Sequence, residues 1–135
     1  MQKYKFLEHT ADIKFQAFGK TLEESFENSA LAMFNSMHSG KIKSKIKRKI
    51  STKGKDNEAL LYDFLEKLLI LFDSEGFFLS EIKKIKISKG KIEAEVFGDK
   101  AENYEIHIDI KAVTYNEMFV KKEKDKYICQ VVLDV

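Results

Sequence analysis

Proline and tryptophan are absent from this chain, and cysteine and arginine occur once each, as Cys129 and Arg48. A lone cysteine can close no internal disulfide and build no cysteine-rich zinc site, which suits a reducing cytoplasm. The bias toward lysine reads as genome composition and carries no chemistry. An excess of one charge sign is also missing, because 24 Lys plus Arg face 22 Asp plus Glu and leave a formal charge of +2. No strong direct nucleic-acid binding is expected from so balanced a chain, and any electropositive surface must be local. Long apolar runs are lacking too. Leu68–Phe72 is far short of the ~20 residues of a membrane helix, and the charged start, Met1–Thr10, is unlike a secretory leader, so no membrane association is expected. There is no repeat, low-complexity tract or flexible linker. Collagen, coiled coil and disordered tail are thereby excluded. What remains is one domain, residues 1–135, with 44% hydrophobic residues, enough to bury a core.

Lys3–His9 and Asp12–Phe18 alternate as two strands, with Tyr4, Phe6, Ile13, Phe15 and Ala17 on the expected inner face and Thr10-Ala11 as the bend. Thr21-Leu-Glu-Glu24 is a capping-box signature. The apolar stripe Leu22, Phe26, Ala30, Met33, Phe34 and Met37 then predicts a helix closed by Gly40. From Lys41 to Ser51 the period falls to two, with Lys41, Lys43, Lys45, Lys47 and Lys49 on one face and Ile42, Ile46 and Ile50 on the other, predicting a half-buried strand. Asp56 or Asn57 caps a second helix that carries Leu60, Leu61, Phe64, Leu65, Leu68, Leu69 and Phe72 and closes at Gly76. Strands are expected around Ile85 and Ile87, at Ile92–Val96, at Ile106–Ile110 and at Tyr127–Val135, with Lys-Gly-Lys at 89–91 as a hairpin signal. The sum is an α+β single-domain sandwich, a mostly antiparallel sheet with two helices packed on one face.

Signatures for a P-loop, a dinucleotide fold, a nucleophile elbow and a zinc protease are all missing. Cys129 sits in an alternating strand and reads as a small buried hydrophobe. His9, His38 and His107 are scattered, a poor basis for zinc. The Lys41–Lys49 face could grip phosphates or an acidic protein surface, although solvated lysines also guard an edge strand against aggregation. Asp12 reads either as a turn residue or as something more. Asp134 is the odder of the two, because it follows Val-Val-Leu at the chain's end. With the Val135 α-carboxylate it puts two anions within one residue, and Asp12 alongside would make three. Such hard oxygen donors favour Ca²⁺ or Mg²⁺ over zinc.

Phe6-Leu-Glu-His-Thr-Ala-Asp12, with Gly19-Lys-Thr-Leu-Glu-Glu-Ser-Phe-Glu-Asn-Ser-Ala-Leu-Ala-Met-Phe34, resembles the N-terminal signature of the archease family. Lys111-Ala-Val-Thr-Tyr115 and Val131-Val-Leu-Asp134-Val135 resemble its two C-terminal signatures, in order and from end to end. The resemblance implies a small cytoplasmic, non-enzymatic partner of the RtcB-type RNA ligase of tRNA splicing, which promotes guanylylation of the ligase and restores it for another turnover. It also leaves an alternative, a chaperone or specificity modulator of a tRNA cytosine methyltransferase. The family's divalent-metal ligands fall on Asp12, Asp134 and Val135, and a functional lysine falls on Lys111. Ca²⁺ is the expected ion, with Mg²⁺ or Mn²⁺ as alternatives. Lys43, Lys45 and Lys47 remain candidates for partner binding. One departure stands out, since Asn116 occupies a place where many relatives have histidine, and an amide cannot titrate as imidazole does. A small hydrolase is disfavoured because no general base or nucleophile accompanies the carboxylates.

Overall fold

The computed structural model describes all residues, 1–135. Its elements run β1 (Tyr4–Leu7), β2 (Ile13–Gly19), α1 (Leu22–Met37), β3 (Ile46–Lys53), α2 (Asn57–Glu75), β4 (Phe77–Ser88), β5 (Lys91–Lys100), β6 (Ala112–Glu123) and β7 (Lys126–Asp134). The α+β class with two helices is as expected, and all strand pairs are antiparallel. The strands divide into two sheets, however, ordered β1-β2-β7-β6 and β3-β5-β4. Each helix touches both, α1 through β2, β7 and β4 and α2 through β6, β3 and β4. Where the helices meet, Phe26 stacks on Phe64 at a centroid distance of 6.3 Å, and both rings are fully buried.

The caps explain where the helices start. The Glu24 N–H donates to Thr21 Oγ1 at 3.0 Å and the Glu24 carboxylate accepts from the Lys20 N–H at 2.9 Å, while the Ala59 N–H donates to Asp56 Oδ1 at 2.8 Å. Gly76 closes α2 in the left-handed conformation, φ 67°, as glycine does at little steric cost. Gly40 plays no such part, because α1 ends two residues earlier at His38 in extended backbone. At the 89–91 hairpin Lys89 and Gly90 both adopt positive φ, the geometry that matches the twist of the flanking strands.

Three stretches differ from the sequence expectation. Residues 41–45 precede β3 without joining it, held instead by side chains: Ser44 Oγ bonds Ser80 and Glu81, and the Lys43 N–H donates to the Tyr104 hydroxyl. Residues 106–110 keep alternating burial but pair with no strand; the His107 N–H is used by the Met37 carbonyl at the end of α1. Phe6, expected inside, is 45% exposed at the sheet edge, edge-to-face with Phe15. The strand β6 went unforeseen, because a break in its register between Thr114 and Phe119 interrupts the period of two.

Candidate functional site

The β2–β7 ladder runs from Gly19↔Tyr127 to Ile13↔Leu133. Asp12 and Asp134 stand one step further along the same register, where opposed residues are about 4.5–5.5 Å apart at Cα. Because faces alternate, the inward Ile13 and Leu133 leave Asp12 and Asp134 on the outer face of the four-stranded sheet. Ala11, in the left-handed region at φ 66°, makes the bend that ends β2's approach. Asp134 is fixed through its backbone, since it pairs with Ala112 and its carbonyl accepts from the Lys111 N–H at 2.8 Å. One corner of the sheet thus gathers Asp12, Lys111, Asp134 and Val135. Lys43, Lys45 and Lys47 belong to the other sheet and the segment before it, all exposed, with Lys47 paired to Glu95 at 3.2 Å.

Hard anionic oxygens from the two aspartates and the terminal carboxylate are a donor set that fits a divalent cation. The backbone convergence is built, but no group of three or more His, Cys, Asp or Glu side chains is already gathered as a cage. An ion would therefore have to draw the Asp134 carboxylate inward.

Sequence reasoning missed three residues at this corner. The bulge in β6 puts Glu117 at φ 54° and turns its carboxylate across the sheet face. Gln130 Nε2 donates to the Glu117 carbonyl at 2.8 Å and Thr114 Oγ1 accepts from the Asn116 N–H at 3.3 Å, so the bulge is pinned on both sides. Glu117 then meets Lys14 Nζ at 3.0 Å and His9 Nε2 at 2.9 Å. The other ring nitrogen, His9 Nδ1, lies 3.7 Å from Asp12 Oδ2, and it is the one buried side-chain polar atom without a hydrogen-bond partner. The only hint in the sequence was the polar pair Asn116-Glu117 inside a β-like run. Asn116 itself is exposed beside the bulge.

Other candidates resolve simply. Cys129 is fully buried against Ser25 and burial pushes its thiol up to about 11, so it is a packing residue. His38 and His107, distant in sequence, stack ring on ring at 6.2 Å, well away in the chain from His9's partners.

Hydrogen bonds from His9 and Lys14 lower the Glu117 carboxyl, and those from the Tyr104 hydroxyl and the Lys100 N–H lower Asp99, which is 4% exposed. Groups whose folded pKa is depressed contribute stability above the unfolded carboxylate range, and that stability is lost as pH falls through the lowered folded values. Glu27, raised by burial, acts in the opposite sense. Urea midpoints are expected to hold from pH 7 to about 5 and fall below about 4, where unfolded carboxylates protonate. Asp99→Asn should flatten that acid slope.

The family profile described as "Archease protein family (MTH1598/TM1083)" matches residues 4–135. Among similar proteins, "Protein archease" of Methanosarcina acetivorans is 41% identical, with 99% of this chain and 97% of that protein covered. Its namesake in Pyrococcus abyssi is 38% identical, with both chains fully covered. The solution structure of Methanobacterium thermoautotrophicum protein 1598 superposes with a TM-score of 0.86 at 34% identity over 100% of both chains. A Thermotoga maritima crystal structure described as "an archease, possible chaperone" gives 0.65 at 22% identity over 97% of this chain and 96% of its own, a likeness of fold.

Proposed function

The chain belongs to the archease family, and from that premise we propose that it is a non-catalytic, cytoplasmic protein cofactor of RNA ligation in tRNA splicing, promoting guanylylation and multiple turnover of an RtcB-type ligase. The observation that supports this most is the register that carries Asp12 and Asp134 to one exposed corner with Lys111 and the chain end. No helix is long and apolar enough to cross a membrane.

In this reading Asp12, Asp134 and the Val135 terminal oxygens hold a divalent ion, which when bound supplies positive charge against the phosphates of a nucleotide undergoing transfer. The chain's own contribution is placement. A rigid antiparallel pair presents two carboxylates at its end, and the Lys111 N–H fixes the Asp134 backbone while its ammonium adds positive charge nearby. The ligase provides the nucleophile. Multiple-turnover ligation of RNA bearing a 2′,3′-cyclic phosphate or 3′-phosphate and a 5′-hydroxyl partner tests this. Sealing should pass one turnover per ligase only when this protein is added, and equal sealing without it would exclude the role.

The exposed Lys43, Lys45 and Lys47 give a second handle on the partner. Replacing all three by glutamate should weaken ligase association by about tenfold or more and invert its salt dependence, since steering charges act on association. Folding stability should change by less than about 1 kcal/mol, as exposed ion pairs contribute little. Unchanged association would return these lysines to edge protection. The alternative, a chaperone or specificity modulator of a tRNA methyltransferase, is met by the same assay run with that client.

A further inference from the structure

We propose that His9 is a nitrogen ligand of the ion site, oriented by Glu117, so that the corner is a mixed nitrogen–oxygen site selecting a first-row transition ion such as Zn²⁺ over Ca²⁺. This rests on the metal-bearing corner argued above and departs from its all-oxygen donor set. A carboxylate can only accept, so His9 Nε2 donates to Glu117 Oε2 across 2.9 Å, and that bond fixes the ring. Nδ1 then faces Asp12 Oδ2 at 3.7 Å, beyond hydrogen-bond reach and buried without a partner. In the neutral ring this sets a lone pair against a carboxylate, two acceptors with nothing between them. Two donors that each sit about 2.0–2.2 Å from one ion can stand up to ~4.4 Å apart, so the gap admits a shared cation.

The arrangement has a recognised logic. Metal-ligating histidines give their remote N–H to a carboxylate, which sets the ring's orientation and raises its basicity. Here Glu117 fills that part, and the β6 bulge exists in a place where it delivers the carboxylate to His9. Lys14, on the same carboxylate at 3.0 Å, holds Glu117 as an anion without approaching Nδ1 as a competing partner. Imidazole nitrogen prefers zinc-like ions, whereas calcium takes oxygen. A site with one nitrogen beside hard oxygens therefore discriminates between the two.

Long-range ¹H–¹⁵N spectra of the imidazoles, with Zn²⁺ and Ca²⁺ titrated separately and affinities taken by calorimetry, test this. The three histidines resolve individually, so capture by the His38–His107 pair is read apart. Zn²⁺ should shift His9 Nδ1 and leave Nε2 protonated, and Ca²⁺ should shift neither. His9→Gln should weaken Zn²⁺ by at least about tenfold and Ca²⁺ by less than twofold, Glu117→Gln should cost Zn²⁺ about 10- to 100-fold, and Asp12→Asn should weaken both ions. Retained Ca²⁺ binding shows that the variants are folded. If His9→Gln binds Zn²⁺ like the parent while Asp12→Asn loses both ions, His9 is not a ligand and the metal corner stands without it. If the parent binds neither ion, the corner is no metal site and the proposal falls with it.

Discussion

Asp12→Asn combined with Asp134→Asn is expected to remove divalent-ion binding at the sheet corner and, with it, stimulation of the ligase, while the fold is retained. Each substitution keeps side-chain size and removes one anionic oxygen donor. Affinity at oxygen-ligand sites follows the count of charged ligands over orders of magnitude, so each single variant should bind at least about tenfold more weakly and the pair below detection. Neither aspartate supports the core. Asp134 is exposed and its structural bond is a backbone carbonyl accepting from Lys111, which asparagine keeps. Relief of repulsion between the aspartates should leave stability equal or slightly higher. Calorimetric titration, ligation rates and circular dichroism on the same preparations check the three parts together.

The largest loss of stability is expected at the contact between the helices. Phe64→Ala should cost about 3–5 kcal/mol, because the ring is fully buried, stacks on Phe26 and leaves a cavity between two sheets and two helices that cannot all relax toward it. Against a total of about 5–15 kcal/mol for a domain of ordinary stability, that loss can unfold the protein near its working temperature. Phe26→Ala should cost a similar amount, and the double variant less than the sum by about 0.5–1.5 kcal/mol, the direct interaction of the rings. Urea denaturation of the four proteins measures this. Strict additivity would mean that the two rings are packed independently.

The helices were legible because their signals are local. Thr21 and Asp56 cap by bonds three residues away, and the stripes from Leu22 to Met37 and from Leu60 to Phe72 repeat at one period. The hairpin at Lys89-Gly90 is local in the same way. What failed was long-range. Residues 41–45 and 106–110 alternate as strands do, but alternation records only which side chains are covered, and the side chains of Ser80, Glu81 and Tyr104 and the end of α1 took the backbone's place as partner. The division into two sheets depends on which strands meet, and spacing along the chain does not carry that.

The site was half legible for the same reason. Asp12, Asp134 and Val135 stood out because acidic groups at a bend and at the end of a hydrophobic strand are out of place, and the register sets the two aspartates on adjoining strands. Glu117 did not stand out. Its reach to His9 and Lys14 exists only because a bulge breaks the β6 ladder and a left-handed residue turns the side chain across the sheet. A bulge is invisible until the opposing strand is known.

The measurement that bears most directly on the central claim follows guanylylation of the ligase and sealing of RNA separately, with the parent protein and with Asp12→Asn/Asp134→Asn. The expected result is a split: the variant fails to restore guanylylation over repeated turnovers, while a ligase guanylylated beforehand seals one RNA without any help and circular dichroism of the variant is unchanged. A variant that restores guanylylation as well as the parent would contradict it and show that the acidic corner is not the working surface.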